Sequence, residues 1–167
     1  VEHHDAEVLV AWLNPPAQLR HAARSLQDLR LVQGLIAGAN TLIAAGFPPA
    51  VPICNGRSLH DLPVAEHTVA LLLAAARRLH LMRDAQSERR WPAELGGAQP
   101  DRDPDVFTTL RGSNVTIWGF GSIGQALALM LTALGARVAG VATKAGGRGG
   151  YSVVTDAELD ALLPTTD

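Results

Sequence analysis

Apolar residues recur along this chain in the patterns of alternating strands and helices. Three short apolar runs are typical of buried strands, and they cover residues 6–12, 31–36 and 51–54. Apolar residues at helical spacing follow the first run at 17–29, and a short helix is predicted over 41–45. Strands that alternate with helices form parallel sheets, whose ligands bind beyond the carboxyl ends of the strands. We therefore expect the loops at 37–40 and 55–61 to border a binding crevice.

A long apolar helix is predicted to begin at Asp61, with an Asx cap and with Pro63 in its first turn. Every residue from 69 to 76 is apolar, which predicts burial on all sides, either between two domains or against a partner subunit. Prolines, glycines and charges then replace the periodic pattern. We place a connecting segment at 92–110, which separates a domain at 1–91 from another that starts at 111 and runs to 167.

Residues 115–124 read V-T-I-W-G-F-G-S-I-G, an apolar strand pattern that ends in the spacing G-x-G-x-x-G. An amphipathic helix is predicted to follow, and then a second strand at 137–141. This order is typical of a dinucleotide-binding unit, in which each glycine has its own role. Gly119 allows a sharp turn after the strand, Gly121 allows a diphosphate to approach the backbone, and Gly124 allows the helix to pack closely on the strand.

The start of that helix and the end of the second strand are candidate contacts for the nucleotide. The free N–H groups of Ser122 and Ile123 would bind its phosphates at the positive end of the helix dipole. No acidic residue follows the second strand to bind the ribose diol of NAD, and Thr143, Lys144 and Arg148 stand there instead. A hydroxyl and two cations suit a 2′-phosphate, so the sequence favours NADP, with NAD also possible. The alternative is that the two cations only lie in a flexible, glycine-rich loop.

Composition narrows the range of partners. The 167 residues are 47% hydrophobic and 18% charged, as in a globular protein. A net charge of −2 makes nucleic acid and anionic membranes poor partners. The longest unbroken apolar run, at 69–76, is much shorter than the roughly 20 residues of a membrane span, and the N-terminus lacks a signal-peptide pattern. Cys54 is the sole cysteine, so no internal disulfide forms and a cytoplasmic location is expected.

Histidines and their acidic neighbours are weaker candidates for a metal or substrate site. His3 and His4 with Asp5 have no fourth ligand at a matching spacing, so no metal site is predicted. His60 and Asp61 lie in the loop that faces the expected crevice, where either could touch a substrate. A helix cap also accounts for Asp61.

Three stretches of the chain resemble the D-isomer-specific 2-hydroxyacid dehydrogenases. They are I-A-G-A-N-T-L at 36–42, P-V-A-E-H-T-V-A-L-L-L-A-A-A-R at 63–77 and L-R-G-S-N-V-T-I-W-G-F-G-S-I-G at 110–124. The resemblance implies an α/β fold in which a flavodoxin-like substrate domain precedes a Rossmann-like NAD(P)-binding unit. It also implies hydride transfer between NAD(P)H and a pair of a 2-oxo acid and a 2-hydroxy acid. By matching position, the backbone amides of Ala37, Gly38 and Ala39 would bind the substrate carboxylate, and Asn40 stands where the family often has Asp.

The same resemblance implies that both domains are incomplete. The family's catalytic histidine, carboxylate and arginine follow the second half of the Rossmann domain, so we assign no catalytic residue to this chain and expect it to be inactive alone. The first strand of the substrate domain is also missing. The helix that starts near Pro63 lies at the subunit interface in the family, which implies a homodimer. The alternatives are a non-catalytic nucleotide-binding module, similar to corepressors related to the family, and a dimerisation module.

Overall fold

The computed structural model describes residues 4–96 and 107–167. The chain divides into two compact units, Val1–His60 and Asp61–Asp167. Part of the connecting segment that we placed at 92–110, residues 97–106, lies outside the described residues. The division after residue 60 assigns the long apolar helix to the second unit, whereas the sequence pattern placed that helix in the first domain.

The first unit contains a three-stranded parallel sheet in the order β1-β2-β3. Its strands are β1 (Val8–Ala11), β2 (Leu31–Gly34) and β3 (Ile53–Cys54), and its helices are α1 (Pro16–Ser25) and α2 (Asn40–Ile43). All five elements lie within or next to their predicted ranges. Pro16 begins α1, where proline supplies a helical φ and needs no N–H acceptor. Leu19, Val32, Leu42 and Phe47 form the centre of this unit's core.

The second unit contains a four-stranded sheet in the order β4-β5-β7-β6. Its strands are β4 (Asn114–Trp118), β5 (Arg137–Val141), β6 (Gly146–Arg148) and β7 (Tyr151–Val154). β4, β5 and β7 are parallel, as in one half of a Rossmann sheet, and β6 pairs with β7 in the antiparallel sense. The glycine-rich stretch that the alternative interpretation took for a flexible loop is therefore a β-hairpin of β6 and β7. Gly149 and Gly150 have φ of 58° and 87°, and positive φ at both central residues is what a tight hairpin turn requires.

In the described residues 61–96 and 107–167, four α-helices accompany this sheet. They are α3 (Asp61–Ala76), α4 (Leu79–Ser87), α5 (Ser122–Ala133) and α6 (Leu159–Leu162). A capping box precedes α6, and in it the backbone N–H and then the hydroxyl of Thr155 donate to Glu158 and lower the pKa of that carboxyl. The helices described in 4–96 and 107–167 all fall short of the length and apolar character that a bilayer crossing requires.

Helix α3 is buried on one side only. Ala65 is fully buried in the core of the second unit, and Val69 and Leu72 pack against the same core. In contrast, Leu62 is 61% exposed and Leu71 is 58% exposed. Within the single chain, α5 and the core beside it thus cover one face of the helix, and burial of the rest by a second domain or a partner subunit stays a prediction.

Two leucines of α5 test which side of that helix faces the core. Leu131 has no exposed surface, whereas Leu129 is 63% exposed. Leu131→Ala is expected to lower the free energy of unfolding by about 2–5 kcal/mol, because it leaves a cavity in a packed core. Leu129→Ala is expected to change it by no more than about 0.5 kcal/mol. Urea denaturation followed by circular dichroism measures both values, and equal losses would contradict this orientation of α5.

Candidate functional site

A sharp turn follows β4 at Gly119. Its φ is +105°, a conformation that side chains rarely allow. The N–H groups of Gly119 and Phe120 both donate to the carbonyl oxygen of Val141, each at 3.0 Å. The turn is therefore tied to the end of β5, and the chain enters α5 immediately afterwards.

The two later glycines of the motif differ in their surroundings. A Cβ built on Gly124 would lie 2.6 Å from the carbonyl oxygen of Gly119, so no larger residue fits where α5 approaches the turn. A Cβ built on Gly121 would meet no atom within 4 Å. The backbone at Gly121 therefore borders open space, whereas Gly124 has the close-packing role that its spacing predicts.

The first turn of α5 presents unpaired donors to that space. The amide of Gln125 makes the first bond of the helix, to the carbonyl oxygen of Gly121 at 2.9 Å. Within the described ranges, no residue accepts a hydrogen bond from the N–H groups of Ser122, Ile123 or Gly124. Three free amides at the positive end of a 12-residue helix can bind an anion, and the open space beside Gly121 leaves room for a diphosphate. The geometry of this turn fits a dinucleotide.

Arg148 joins the glycine turn to the loop that follows β5. Its Nη1 donates to the carbonyl oxygen of Phe120 at 3.0 Å, and its Nη2 donates to that of Lys144 at 2.9 Å. The side chains of Thr143 and Lys144 are exposed in this loop. The structure thus brings Arg148 to the glycine turn, where its guanidinium supports the backbone and places a positive charge beside the open space.

The sequence patterns did not predict two contacts of this site. Phe120 is 1% exposed, and a Cβ on Gly140 would lie 2.4 Å from its ring, so the ring packs directly on the backbone of β5. A glycine inside a strand is the signal that indicates such a close approach. The second contact is a hydrogen bond from Oγ of Ser122 to Oδ1 of Asp61, at 3.0 Å. It joins residues 61 positions apart, and no sequence pattern indicates it.

In the first unit, the loop after β2 is held by the loop after β3. Nδ2 of Asn55 donates to the carbonyl oxygen of Ala37 at 2.9 Å, and Nε2 of His60 donates to that of Leu35 at 3.0 Å. Ala37 and Gly38 are exposed. In the part of the chain that the structure describes, nothing accepts a hydrogen bond from the amides of Ala37, Gly38 or Ala39. Those amides are therefore available to an anionic group on a ligand.

A cavity of about 260 Å³ adjoins this loop. Its lining includes Gly38, Ile36 and Thr41 from the loop and α2, and Leu13 from the turn after β1. Leu13 has a φ of +55° and is held there by a bond from the amide of Trp12 to Oδ1 of Asn14, at 2.9 Å. The space beside the free amides of the loop is thus mainly apolar.

Known proteins share this architecture. Residues 69–167 match the family model described as D-isomer specific 2-hydroxyacid dehydrogenase, NAD binding domain. A family protein from Aeromonas salmonicida subsp. salmonicida A449 has a similar structure, with a TM-score of 0.77 and 27% identity over 98% of this chain and 49% of that one. An NADPH-dependent glyoxylate/hydroxypyruvate reductase from Sinorhizobium meliloti, solved with NADP and sulfate, has a TM-score of 0.69 and 23% identity over 96% of this chain and 46% of that one.

A third similar structure is a D-isomer specific 2-hydroxyacid dehydrogenase from Xanthobacter autotrophicus Py2 in complex with NADPH and MES. It has a TM-score of 0.66 and 24% identity over 99% of this chain and 49% of that one. The chain thus spans about half the length of these solved structures. The matching family model covers more than half of the chain, including the glycine turn, α5 and the loop after β5. By this match the chain belongs to the D-isomer specific 2-hydroxyacid dehydrogenases, a family of NAD(P)-dependent oxidoreductases.

Proposed function

We propose that the natural protein containing this chain transfers a hydride between NAD(P)H and a pair of a 2-oxo acid and a 2-hydroxy acid. The observation that carries the proposal is the anion site at the start of α5, where the amides of Ser122, Ile123 and Gly124 are free beside open space. The family model that matches this part of the chain is an NAD-binding domain. The function of the whole protein remains our proposal, since the chain spans about half the length of its solved relatives.

In this proposal the residues of the chain bind and orient the reactants. The free amides of α5 hold the diphosphate of the cofactor, which supplies or accepts the hydride when bound. In the first unit, the amides of Ala37, Gly38 and Ala39 hold the carboxylate of the 2-oxo acid, and the apolar cavity beside them takes its side chain. None of these groups is a general acid, so we assign no catalytic residue here.

Replacement of Gly121 tests the nucleotide site. The natural protein is expected to oxidise NADPH or NADH when glyoxylate, hydroxypyruvate or pyruvate is added. Gly121→Ala is expected to fold normally, because its Cβ meets no protein atom, and to bind the nucleotide at least about tenfold more weakly, because that Cβ occupies the space for the diphosphate. Dissociation constants from fluorescence titration and rates from absorbance at 340 nm measure both effects.

Gly124→Ala is the matched comparison in the same turn. Its Cβ collides with the backbone at Gly119, so this variant is expected to lose stability, whereas the Gly121 variant is not. Unchanged nucleotide affinity in Gly121→Ala would contradict the proposed site. Nucleotide binding without turnover of any 2-oxo acid would instead favour the non-catalytic, corepressor-like alternative.

We further propose that the cofactor is NADP(H) rather than NAD(H), with the 2′-phosphate bound by Thr143, Lys144 and Arg148. The proposal is supported by the loop after β5, which has no carboxylate at the position that would bind a ribose diol. It is also supported by the guanidinium of Arg148, which its bonds to Phe120 and Lys144 hold beside the glycine turn. Arg148 supports the backbone as well, so the exposed Lys144 is the cleaner position for a test.

Lys144→Ala is expected to weaken the binding of NADPH by about tenfold and to leave the affinity for NADH nearly unchanged, because only NADPH carries the charge that Lys144 would contact. Arg137→Ala removes a cation from the opposite end of β5 and serves as the control. Isothermal titration of the natural protein and of both variants, each with NADH and with NADPH, gives the six affinities needed. If the natural protein binds NADH and NADPH equally, and Lys144→Ala changes neither affinity, the NADP assignment is wrong.

We also propose a homodimer through the exposed face of α3. The structure supports Leu71 as the contact residue rather than Leu72, because Leu72 packs against the core of its own unit while Leu71 is exposed. Several large apolar side chains share that exposure: Leu62, Val64, Leu71 and Leu73. Exposed apolar side chains on a helix are typical of subunit interfaces.

Leu71→Glu is expected to convert the dimer to a monomer, because it places a charge in an apolar contact. Leu129→Glu on α5 is the matched control, since Leu129 is an exposed leucine of a different helix. Light scattering after size-exclusion chromatography gives the mass of each variant. A monomeric parent protein, or a Leu71→Glu variant that stays dimeric, would contradict the proposal.

A further inference from the structure

A carboxylate lies at the start of the phosphate-binding helix. Asp61 is the first residue of α3, and Ser122 is the first residue of α5. Oγ of Ser122 donates a hydrogen bond to Oδ1 of Asp61 at 3.0 Å, in a partly buried position. The packing of α3 on α5 brings the two helix starts together, and Ala65 of α3 lies in the same core as residues of α5.

This hydrogen bond has two consequences for an anion at the site. A serine hydroxyl has a single proton, so while Oγ of Ser122 donates to Asp61 it donates to nothing else. Asp61 also places a negative charge one side chain away from the amide of Ser122, which is among the three free donors of α5. Like charges repel, and the positive end of the α5 dipole is partly offset by this carboxylate.

We propose that Asp61 is a positioning residue that limits the affinity of the site for the cofactor diphosphate. It withholds the proton of Ser122 from the phosphate and opposes the phosphate charge. The diphosphate is then held by backbone amides alone, and the side chain of Ser122 takes no part. This inference rests on the proposed function, in which the amides of α5 hold the diphosphate.

The test compares a nucleotide that has a diphosphate with one that lacks it. Asp61→Asn keeps an oxygen that accepts from Ser122 and removes the charge. The variant is expected to bind ADP-ribose about three- to tenfold more tightly than the parent protein, and more so at low salt than at high salt. Binding of 2′-AMP, which has no diphosphate, is expected to stay unchanged. Isothermal titration of the natural protein and the variant measures both ligands.

Asp160→Asn is the matched control, since Asp160 is an exposed carboxylate in α6. It is expected to leave the binding of both ligands unchanged. Melting temperatures of all variants distinguish a purely structural effect from a direct effect at the site. Lost packing between α3 and α5 would weaken the binding of both ligands together and would not tighten the binding of one.

Ser122→Ala gives a second test that keeps Asp61 in place. Because the hydroxyl proton is already engaged, this variant is expected to bind ADP-ribose within about twofold of the parent protein. A tenfold loss would show that the hydroxyl binds the phosphate, and would overturn the inference. Unchanged or weaker ADP-ribose binding in Asp61→Asn would also overturn it while the nucleotide site itself stands. If the natural protein binds neither ADP-ribose nor NADPH, the proposed function falls instead.

Discussion

The close approach of α5 to the turn after β4 is the contact on which the second unit depends. Gly124 lies so near the carbonyl oxygen of Gly119 that a methyl group does not fit, and this brings the helix start directly against the strand end. The first amides of α5 consequently border the open space at Gly121. Because a helix start concentrates unpaired donors and a positive dipole end, this packing also creates the anion site.

One positively charged and one negatively charged side chain contact the residues of that site. The guanidinium of Arg148 lies beside the carbonyl oxygen of Phe120 on the strand side of the turn, and the carboxylate of Asp61 contacts Ser122 at the helix start. The guanidinium attracts an anion and the carboxylate repels it, so the two charges together set the affinity of the site for an anion. Backbone amides provide the common binding surface, and they carry no ionisable group of their own.

Helix α3 combines two roles that a single apolar pattern conceals. One face, with Ala65, Val69 and Leu72, completes the core beside α5, whereas Leu71 on the other face is exposed. Periodicity distinguishes a buried face from a polar one, and it fails when both faces are apolar. The sequence placed this helix in the first domain by chain order, whereas the division into compact units groups it with the second.

Local sequence determined the strands, the helices and the glycine turn, because each depends on neighbours a few residues away. Positive φ at Gly119 and the strand and helix patterns around it are local properties of this kind. Local rules also allow the hairpin at Gly149 and Gly150, but the glycine-rich composition was interpreted only as a flexible loop. Tertiary structure alone decided the contacts of Asp61 with Ser122 and of Arg148 with Phe120, since they join residues 61 and 28 positions apart. Such contacts arise from the packing of whole helices and strands, and no spacing along the chain encodes them.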